Sequence, residues 1–69
     1  MLRRKKKPQQ IFANNDFSHA VLDQKDYKHS LFENVTFFRT RMRNGDFSGS
    51  VFRNVRFEEV DAQECYFRC

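Results

Sequence analysis

The fold is decided by the stretch Phe47-Ser-Gly-Ser-Val-Phe52-Arg-Asn-Val-Arg-Phe57, in which three phenylalanines stand five residues apart. The spacing extends in both directions, and eight of the nine phenylalanines in the chain fall on it. A period this regular identifies an internal repeat, which has to be interpreted before any other signal. We call the twelve positions on this spacing the core ladder: Phe12, Phe17, Leu22, Tyr27, Phe32, Phe37, Met42, Phe47, Phe52, Phe57, Ala62 and Phe67.

A five-residue spacing fits neither type of regular secondary structure. In a helix, five residues advance the side chain by about 140° beyond one full turn, so the ladder would wander around the surface. In a flat strand, an odd spacing places successive side chains on opposite faces. A chain that turns a corner after every five residues can direct the whole ladder inward, and four such sides close one coil.

The position two residues before each ladder residue is predicted to point inward as well, where little room remains. Most residues at these positions are small or β-branched, as Ser30, Val35, Gly45 and Cys65 illustrate. Lys25 departs from this pattern and is predicted to mark a corner that is displaced outward.

This pattern resembles the motif of the pentapeptide-repeat family, which is a small residue, Asp or Asn, Leu or Phe, and two free positions. Asn15-Asp16-Phe17-Ser18-His19 and Gly45-Asp46-Phe47-Ser48-Gly49 match it best. Ser30-Leu31-Phe32-Glu33-Asn34 and Ser50-Val51-Phe52-Arg53-Asn54 keep the inner residues and lose the acid. The resemblance covers residues 10–69. It implies an all-β fold, namely a right-handed quadrilateral β-helix of just under three coils.

Such coils predict that residues twenty apart stack on one another, at a spacing of about 4.8 Å. Asn14, Asn34 and Asn54 fall into this register and are predicted to form a ladder of hydrogen-bonded amides. The core ladder divides into four stacks: Phe12/Phe32/Phe52, Phe17/Phe37/Phe57, Leu22/Met42/Ala62 and Tyr27/Phe47/Phe67.

The net charge of +4 comes from one run near the start of the chain. The remaining residues include eight basic and nine acidic side chains, so the repeat region is close to neutral. Residues 1–9 are predicted to be a disordered basic tail that precedes the repeats. A single charge run without interleaved aromatics is typical of a solvated leader and predicts no specific contact with nucleic acid or anionic lipid. The candidate anion contacts are Arg3, Arg4, Lys5, Lys6 and Lys7.

Arg39, Arg41 and Arg43 could form a second basic cluster that binds phosphate. The twenty-residue register favours a different interpretation, because each arginine has an acidic residue in a neighbouring coil. Opposite charges on adjacent strands stabilise a sheet, so a lattice of ion pairs is predicted here, and also between Glu33 and Arg53. The predicted partners of the three arginines are, in order, Glu59, Asp61 and Asp23.

Phe38 is the one phenylalanine outside the core ladder, and its phase in the repeat predicts that it faces solvent. An exposed aromatic residue is a candidate contact for a protein partner, because aromatic residues are enriched among those that dominate binding energy. A single exposed aromatic side chain is also common enough to require no functional explanation.

The sequence carries no motif for catalysis or for metal binding. It lacks a glycine-rich phosphate loop, a Cys-x-x-Cys pair and a His-x-x-x-His pair. His19 and His29 are ten residues apart, which predicts opposite sides of one coil. We therefore predict a protein that is not an enzyme and that uses no cofactor.

Sequence features favour a cytoplasmic location. No stretch is apolar enough to span a bilayer, and the basic start lacks the hydrophobic run of a signal peptide. Cys65 and Cys69 are predicted to point in different directions and to remain unpaired, as in a reducing compartment. The alternative location is that of a secreted effector exported without a cleaved signal peptide.

Because the residues offer no catalytic constellation, the leading functional hypothesis is a non-enzymatic scaffold that presents a flat, polar face to an unidentified protein partner. The resemblance implies that such scaffolds include effector proteins of bacterial pathogens. One alternative is a mimic of DNA that binds a topoisomerase such as gyrase, although the repeat region lacks the strong negative charge that a mimic requires. Because the repeat runs to Cys69, two further hypotheses are a gene remnant of a longer solenoid and self-association through the coil ends.

Overall fold

Short strands form the regular part of the structure, which is a computed structural model that describes residues 8–68. All strands are three residues long, and no helix occurs within the described range. The candidate anion contacts at positions 3–7 and Cys69 lie outside the described residues. The strands are β1 Ile11–Ala13, β2 Leu31–Glu33, β3 Thr36–Phe38, β4 Val51–Arg53 and β5 Arg56–Glu58.

Strand pairing is parallel throughout and joins residues that are twenty apart. One sheet has the order β1-β2-β4, and a second sheet pairs β3 with β5. Isolated bridges continue this register on two further lines, Val21–Arg41–Asp61 and Asp26–Asp46–Tyr66. The predicted twenty-residue register is therefore confirmed. We refer to residues 10–29, 30–49 and 50–68 as the first, middle and last segments.

Backbone hydrogen bonds fix this register. The N–H groups of His19 and Arg39 donate to carbonyl groups nineteen residues later, over 2.8 and 2.9 Å. The N–H groups of Arg41 and Asp61 donate to carbonyl groups twenty-one residues earlier, over 2.9 and 3.0 Å. Because the two kinds of bond alternate along the chain, each segment both donates to its neighbour and accepts from it.

A residue with positive φ marks each turn of the chain. It follows the ladder residue by two positions, and its φ lies between 52° and 70°. Asn tolerates this left-handed region, and Gly49 adopts it without strain because it has no Cβ. The residues with positive φ are Asn14, His19, Gln24, His29, Asn34, Arg39, Asn44, Gly49, Asn54, Glu59 and Glu64.

The hydrophobic core is deepest in the middle of the chain, where neighbours cover both sides of a ladder residue. Phe57 and Phe67 are 45% and 49% exposed, because nothing in the described range stacks on their outer faces. The buried ladder residues are Tyr27, Phe32, Phe37, Met42 and Phe47. The half-buried ladder residues that pack against them are Phe12, Phe17, Leu22, Phe52 and Ala62.

Aromatic rings twenty residues apart lie nearly parallel, as the register predicts. The Phe32 ring lies 4.9 Å from that of Phe12 and 5.1 Å from that of Phe52. The Phe37 and Phe57 rings are 5.0 Å apart, with an angle of 3° between their planes. Rings five residues apart meet edge-on or tilted instead, so the core combines both favourable aromatic geometries.

Small polar residues at the inner positions satisfy backbone groups as well as saving space. The Thr40 hydroxyl donates to the carbonyl oxygen of Phe17 over 2.7 Å. The Cys65 thiol donates in the same way to the carbonyl of Met42. In each case the acceptor belongs to a ladder residue twenty-three positions earlier. Lys25, the exception in the sequence pattern, is exposed.

The amide ladder is also confirmed. The Nδ2 group of Asn34 donates to Oδ1 of Asn14 over 3.2 Å, and Nδ2 of Asn54 donates to Oδ1 of Asn34. Each asparagine has positive φ. The ladder therefore stabilises the same corner in all three segments.

We expect truncation of Phe37 to destabilise the protein more than truncation of Phe57, although both belong to one stack. Phe37 is fully buried, so Phe37→Ala should cost roughly 3–5 kcal/mol, whereas the half-exposed Phe57 should cost about half as much. Urea denaturation at low protein concentration, followed by circular dichroism, measures both values. An equal loss in the two variants would contradict the described core.

Candidate interaction face

A shallow groove lies on the outer surface of the β3–β5 sheet. Phe37 points inward on β3, so strand alternation directs its neighbours Thr36 and Phe38 outward. Parallel pairing brings Arg56 and Glu58 of β5 beside them. These four residues and Ser18 line the groove, whose volume is about 390 Å³. We call this surface the Phe38 face.

Phe38 is held in a defined orientation. The His19 ring meets it edge-on, with 5.6 Å between ring centroids. The Arg39 guanidinium carbon lies 5.3 Å from the Phe38 ring centroid, which is within the range of a cation–π contact. Phe38 lies on the outside, as its phase predicts, but these two side chains leave it half-buried rather than fully exposed. An aromatic surface fixed in this way loses little side-chain entropy when a partner covers it.

Ion pairs flank the groove. Arg56 Nη2 lies 2.7 Å from Glu58 Oε1, within the same strand. Arg39 Nε lies 3.0 Å from Glu59 Oε1, which is the pairing that the register predicts. The positive φ of Arg39 lies at the corner that follows β3. One guanidinium group thus contacts both the carboxylate of the last segment and the ring of Phe38.

The other two arginines are paired with carboxylates, but not with the partners that the direct register predicts. Arg41 donates to Asp23 Oδ2 from Nε over 3.0 Å and from Nη2 over 2.6 Å. Arg43 donates to Asp61 Oδ2 over 2.9 and 2.7 Å. The lattice is diagonal, because an arginine side chain is long enough to reach the residue eighteen positions away. Each guanidinium thereby donates two hydrogen bonds to one carboxylate oxygen.

The pair Glu33 and Arg53 also differs from the prediction. The two residues are direct partners in the register of β2 and β4. Within residues 8–68, however, the described ion pairs do not include them. Adjacent Cα positions therefore do not suffice for an ion pair when both side chains can extend into solvent.

The diagonal pairs shift the pKa values of Asp23, Asp61 and Arg41. Hydrogen bonds from the Arg41 side chain and the Arg43 backbone N–H lower the pKa of Asp23 below its ordinary value. A hydrogen bond from the Arg43 side chain does the same to the pKa of Asp61. The pKa of Arg41 is raised, chiefly by its hydrogen bond to Asp23. The lowered pKa of each aspartate and the raised pKa of Arg41 keep these three groups charged at neutral pH.

Of the two histidines, only His19 lies at the Phe38 face. His29 lies against Gly49, where a Cβ on the glycine would come within 2.5 Å of the imidazole Nδ1. His19 contacts Phe38 instead, so the structure does not bring the two histidines together. No cluster of three metal-ligating side chains occurs among the residues that the structure describes.

Sequence reasoning missed the groove beside Phe38. The residues that form it are outward-facing members of β3 and β5, and Arg56 and Thr36 have no distinctive spacing. The available signal was their register, since Thr36 and Arg56 flank the stacked Phe37 and Phe57 on the same side.

Comparison with known proteins identifies the repeat. A family model described as pentapeptide repeats matches residues 30–68 in eight copies. No curated protein and no solved structure matches the chain at a significant level. Within residues 8–68 there is also no helix with the length and hydropathy needed to cross a bilayer.

We expect the diagonal ion pairs to make stability depend on pH in the acid range. Because the pKa of Asp23 is lowered in the folded state, its contribution is complete above the ordinary Asp pKa of about 3.9 and is lost as pH falls through the folded value. Asp23→Asn should therefore be less stable at pH 7 and should lose less stability on acidification.

Thermal unfolding measured at several pH values between neutral and strongly acid tests this expectation. Glu64→Gln is the control, since Glu64 takes part in none of the ion pairs of residues 8–68. Curves for Asp23→Asn and the wild type that stay parallel down to the lowest pH would contradict the pairing.

Proposed function

The chain belongs to the pentapeptide-repeat family, and we propose that it is a scaffold that binds a protein partner through the Phe38 face. Members of this family are generally non-enzymatic scaffolds. The observation that supports the proposal is the position of Phe38, a phenylalanine outside the buried ladder that lies half-buried in a groove between fixed ion pairs.

The surroundings of Phe38 resemble those of residues that dominate binding energy at protein interfaces. Such residues are aromatic or arginine side chains surrounded by contacts that exclude water. Here His19 and Arg39 already shield two sides of the ring, and Ser18 and Thr36 supply polar groups at the border. A partner that covers the remaining side would desolvate both the ring and the guanidinium group.

We further propose that the chain follows a right-handed quadrilateral β-helix of just under three coils. Four lines of parallel pairing, each separated from the next by five residues, support this path. Connections between parallel strands of one sheet are almost always right-handed. In this arrangement the Phe38 face occupies one flat side, which suits a partner with a flat surface.

The DNA-mimic alternative predicts a continuous negative surface, which the arginines of the middle segment interrupt. Arg39, Arg41 and Arg43 each neutralise a carboxylate on the outer surface. The described geometry therefore favours a partner that recognises an aromatic side chain over one that binds duplex DNA.

We expect Phe38→Ser to weaken partner binding by about tenfold or more in Kd, as for other central aromatic contacts. The control is Tyr66→Ser, which removes a ring that is 60% exposed and lies outside the Phe38 face. Both variants should retain the thermal stability of the wild type to within a few degrees.

The measurement is quantitative affinity purification with the tagged chain, followed by titration calorimetry with each protein recovered. A protein lost with Phe38→Ser and retained with Tyr66→Ser is the expected partner. Binding that survives Phe38→Ser would reject the Phe38 face. Inhibition of DNA supercoiling by gyrase that is insensitive to Phe38→Ser would support the DNA mimic instead.

A further inference from the structure

The backbone hydrogen bonds that join the segments have a direction. Corner residues donate to a carbonyl nineteen residues later, as His19 does to Phe38 and Arg39 does to Glu58. At these corner positions within residues 8–68, the N–H group never donates to a carbonyl of the preceding segment. The stack of segments therefore has two different edges. The first edge comprises β1, Asp16 and Val21, and the last edge comprises β4, β5 and Asp61.

The two edges are complementary in their backbone groups. On the last edge, the corner N–H groups of Asn54 and Glu59 make no bond of the nineteen-residue kind within the described range. In the middle segment, the carbonyl oxygen of Phe38 accepts such a bond from His19. Ser18 lies twenty residues before Phe38, so its carbonyl oxygen is the equivalent acceptor on the first edge. Unpaired strand edges of this kind are ready templates for another chain.

The amide ladder ends in complementary groups as well. Its hydrogen bonds run from Asn54 to Asn34 and from Asn34 to Asn14. The ladder therefore presents the Nδ2 donor of Asn14 at the first edge and the Oδ1 acceptor of Asn54 at the last edge. A donor at one end and an acceptor at the other fit a head-to-tail contact and not a symmetric one.

We propose that the last edge of one copy pairs with the first edge of a second copy in the same twenty-residue register. The register stacks Phe12 of the second copy on Phe52, and Phe17 of the second copy on Phe57, which is 45% exposed in the single chain. Leu22 of the second copy meets Ala62, so a large side chain lies over a small one.

Charge supports the same alignment. Asp16 bridges to Thr36, and Thr36 pairs with Arg56, so the next position on this line beyond Arg56 is filled by Asp16 of the second copy. Opposite charges would then face each other across the contact. On the fourth side, Gln9 donates its N–H to His29 over 2.9 Å. The contact is therefore restricted to the three sides that begin with β1, Asp16 and Val21.

A head-to-tail contact leaves one edge of each copy open, so it leads to open assemblies that grow with concentration. Arg56 belongs both to the Phe38 face and to the last edge, but Phe38 itself lies in the middle segment and takes no part in the head-to-tail contact. Association of the purified chain and binding of a protein partner are measured separately, and either result can fail without the other.

The experiment is sedimentation velocity of the purified chain over a wide concentration range. Asp16→Lys and Arg56→Glu each place like charges at the contact and should weaken association by about tenfold. An equimolar mixture of the two variants should restore it, because every contact in the mixture can join opposite charges. Asp46→Lys is the matched control, since Asp46 binds Ser48 as Asp16 binds Ser18 but lies in the middle segment.

The wild type is expected to increase in mean mass with concentration and to pass the dimer without a plateau. The proposal is overturned if the wild type stays monomeric or stops at a dimer. It is also overturned if the mixture fails to associate, or if Asp46→Lys weakens association as much as Asp16→Lys. Circular dichroism of each variant establishes that the β structure is retained.

Asn14→Asp provides a second test that leaves all native charge pairs in place. The carboxylate still accepts the hydrogen bond from Asn34 but removes the Nδ2 donor that would reach Asn54 of a second copy. We expect association to weaken, with stability unchanged. Asn44→Asp is its control at a corner of the middle segment, and equal association of both variants would contradict the role of the ladder.

Discussion

The structure depends on one constraint, the backbone hydrogen bonds that join residues nineteen and twenty-one positions apart. These bonds hold every residue beside the residue twenty positions away, so the side chains must be compatible at that separation. Phenylalanines stack on phenylalanines, and asparagines bind asparagines, because the register places them side by side. The inner hydroxyl group of Thr40 fits this arrangement, because the side chain is small and still donates a hydrogen bond to a ladder carbonyl.

The parts of the fold that follow from backbone periodicity could be predicted from the sequence. The spacing of Phe47, Phe52 and Phe57 predicts both the ladder and the register, because only a chain with regular corners can bury residues five apart. Side chains with many rotatable bonds could not be placed in this way. Arg41 lies directly beside Asp61, yet it binds Asp23 across the diagonal, since the register fixes Cα positions and not the direction of a guanidinium group.

The Phe38 face was only partly predictable for the same reason. The period identifies Phe38 as a residue outside the ladder, but the degree to which it is covered depends on His19 and Arg39. The groove also requires the outward residues of two strands that are far apart in sequence. The family assignment describes the repeat and not the surface residues, so it does not identify a partner.

The uniform separation of paired residues has a consequence for how the chain folds. Every strand pair closes a loop of about the same length, so residues 8–68 offer neither a local helix nor a hairpin with which folding could begin. Closing the first loop costs conformational entropy, and only the contacts between two segments form to offset that cost. Each later segment adds to an existing template, as in other linear repeat proteins. We therefore regard the β2–β4 and β3–β5 pairs, which share one loop closure, as the natural nucleus for folding.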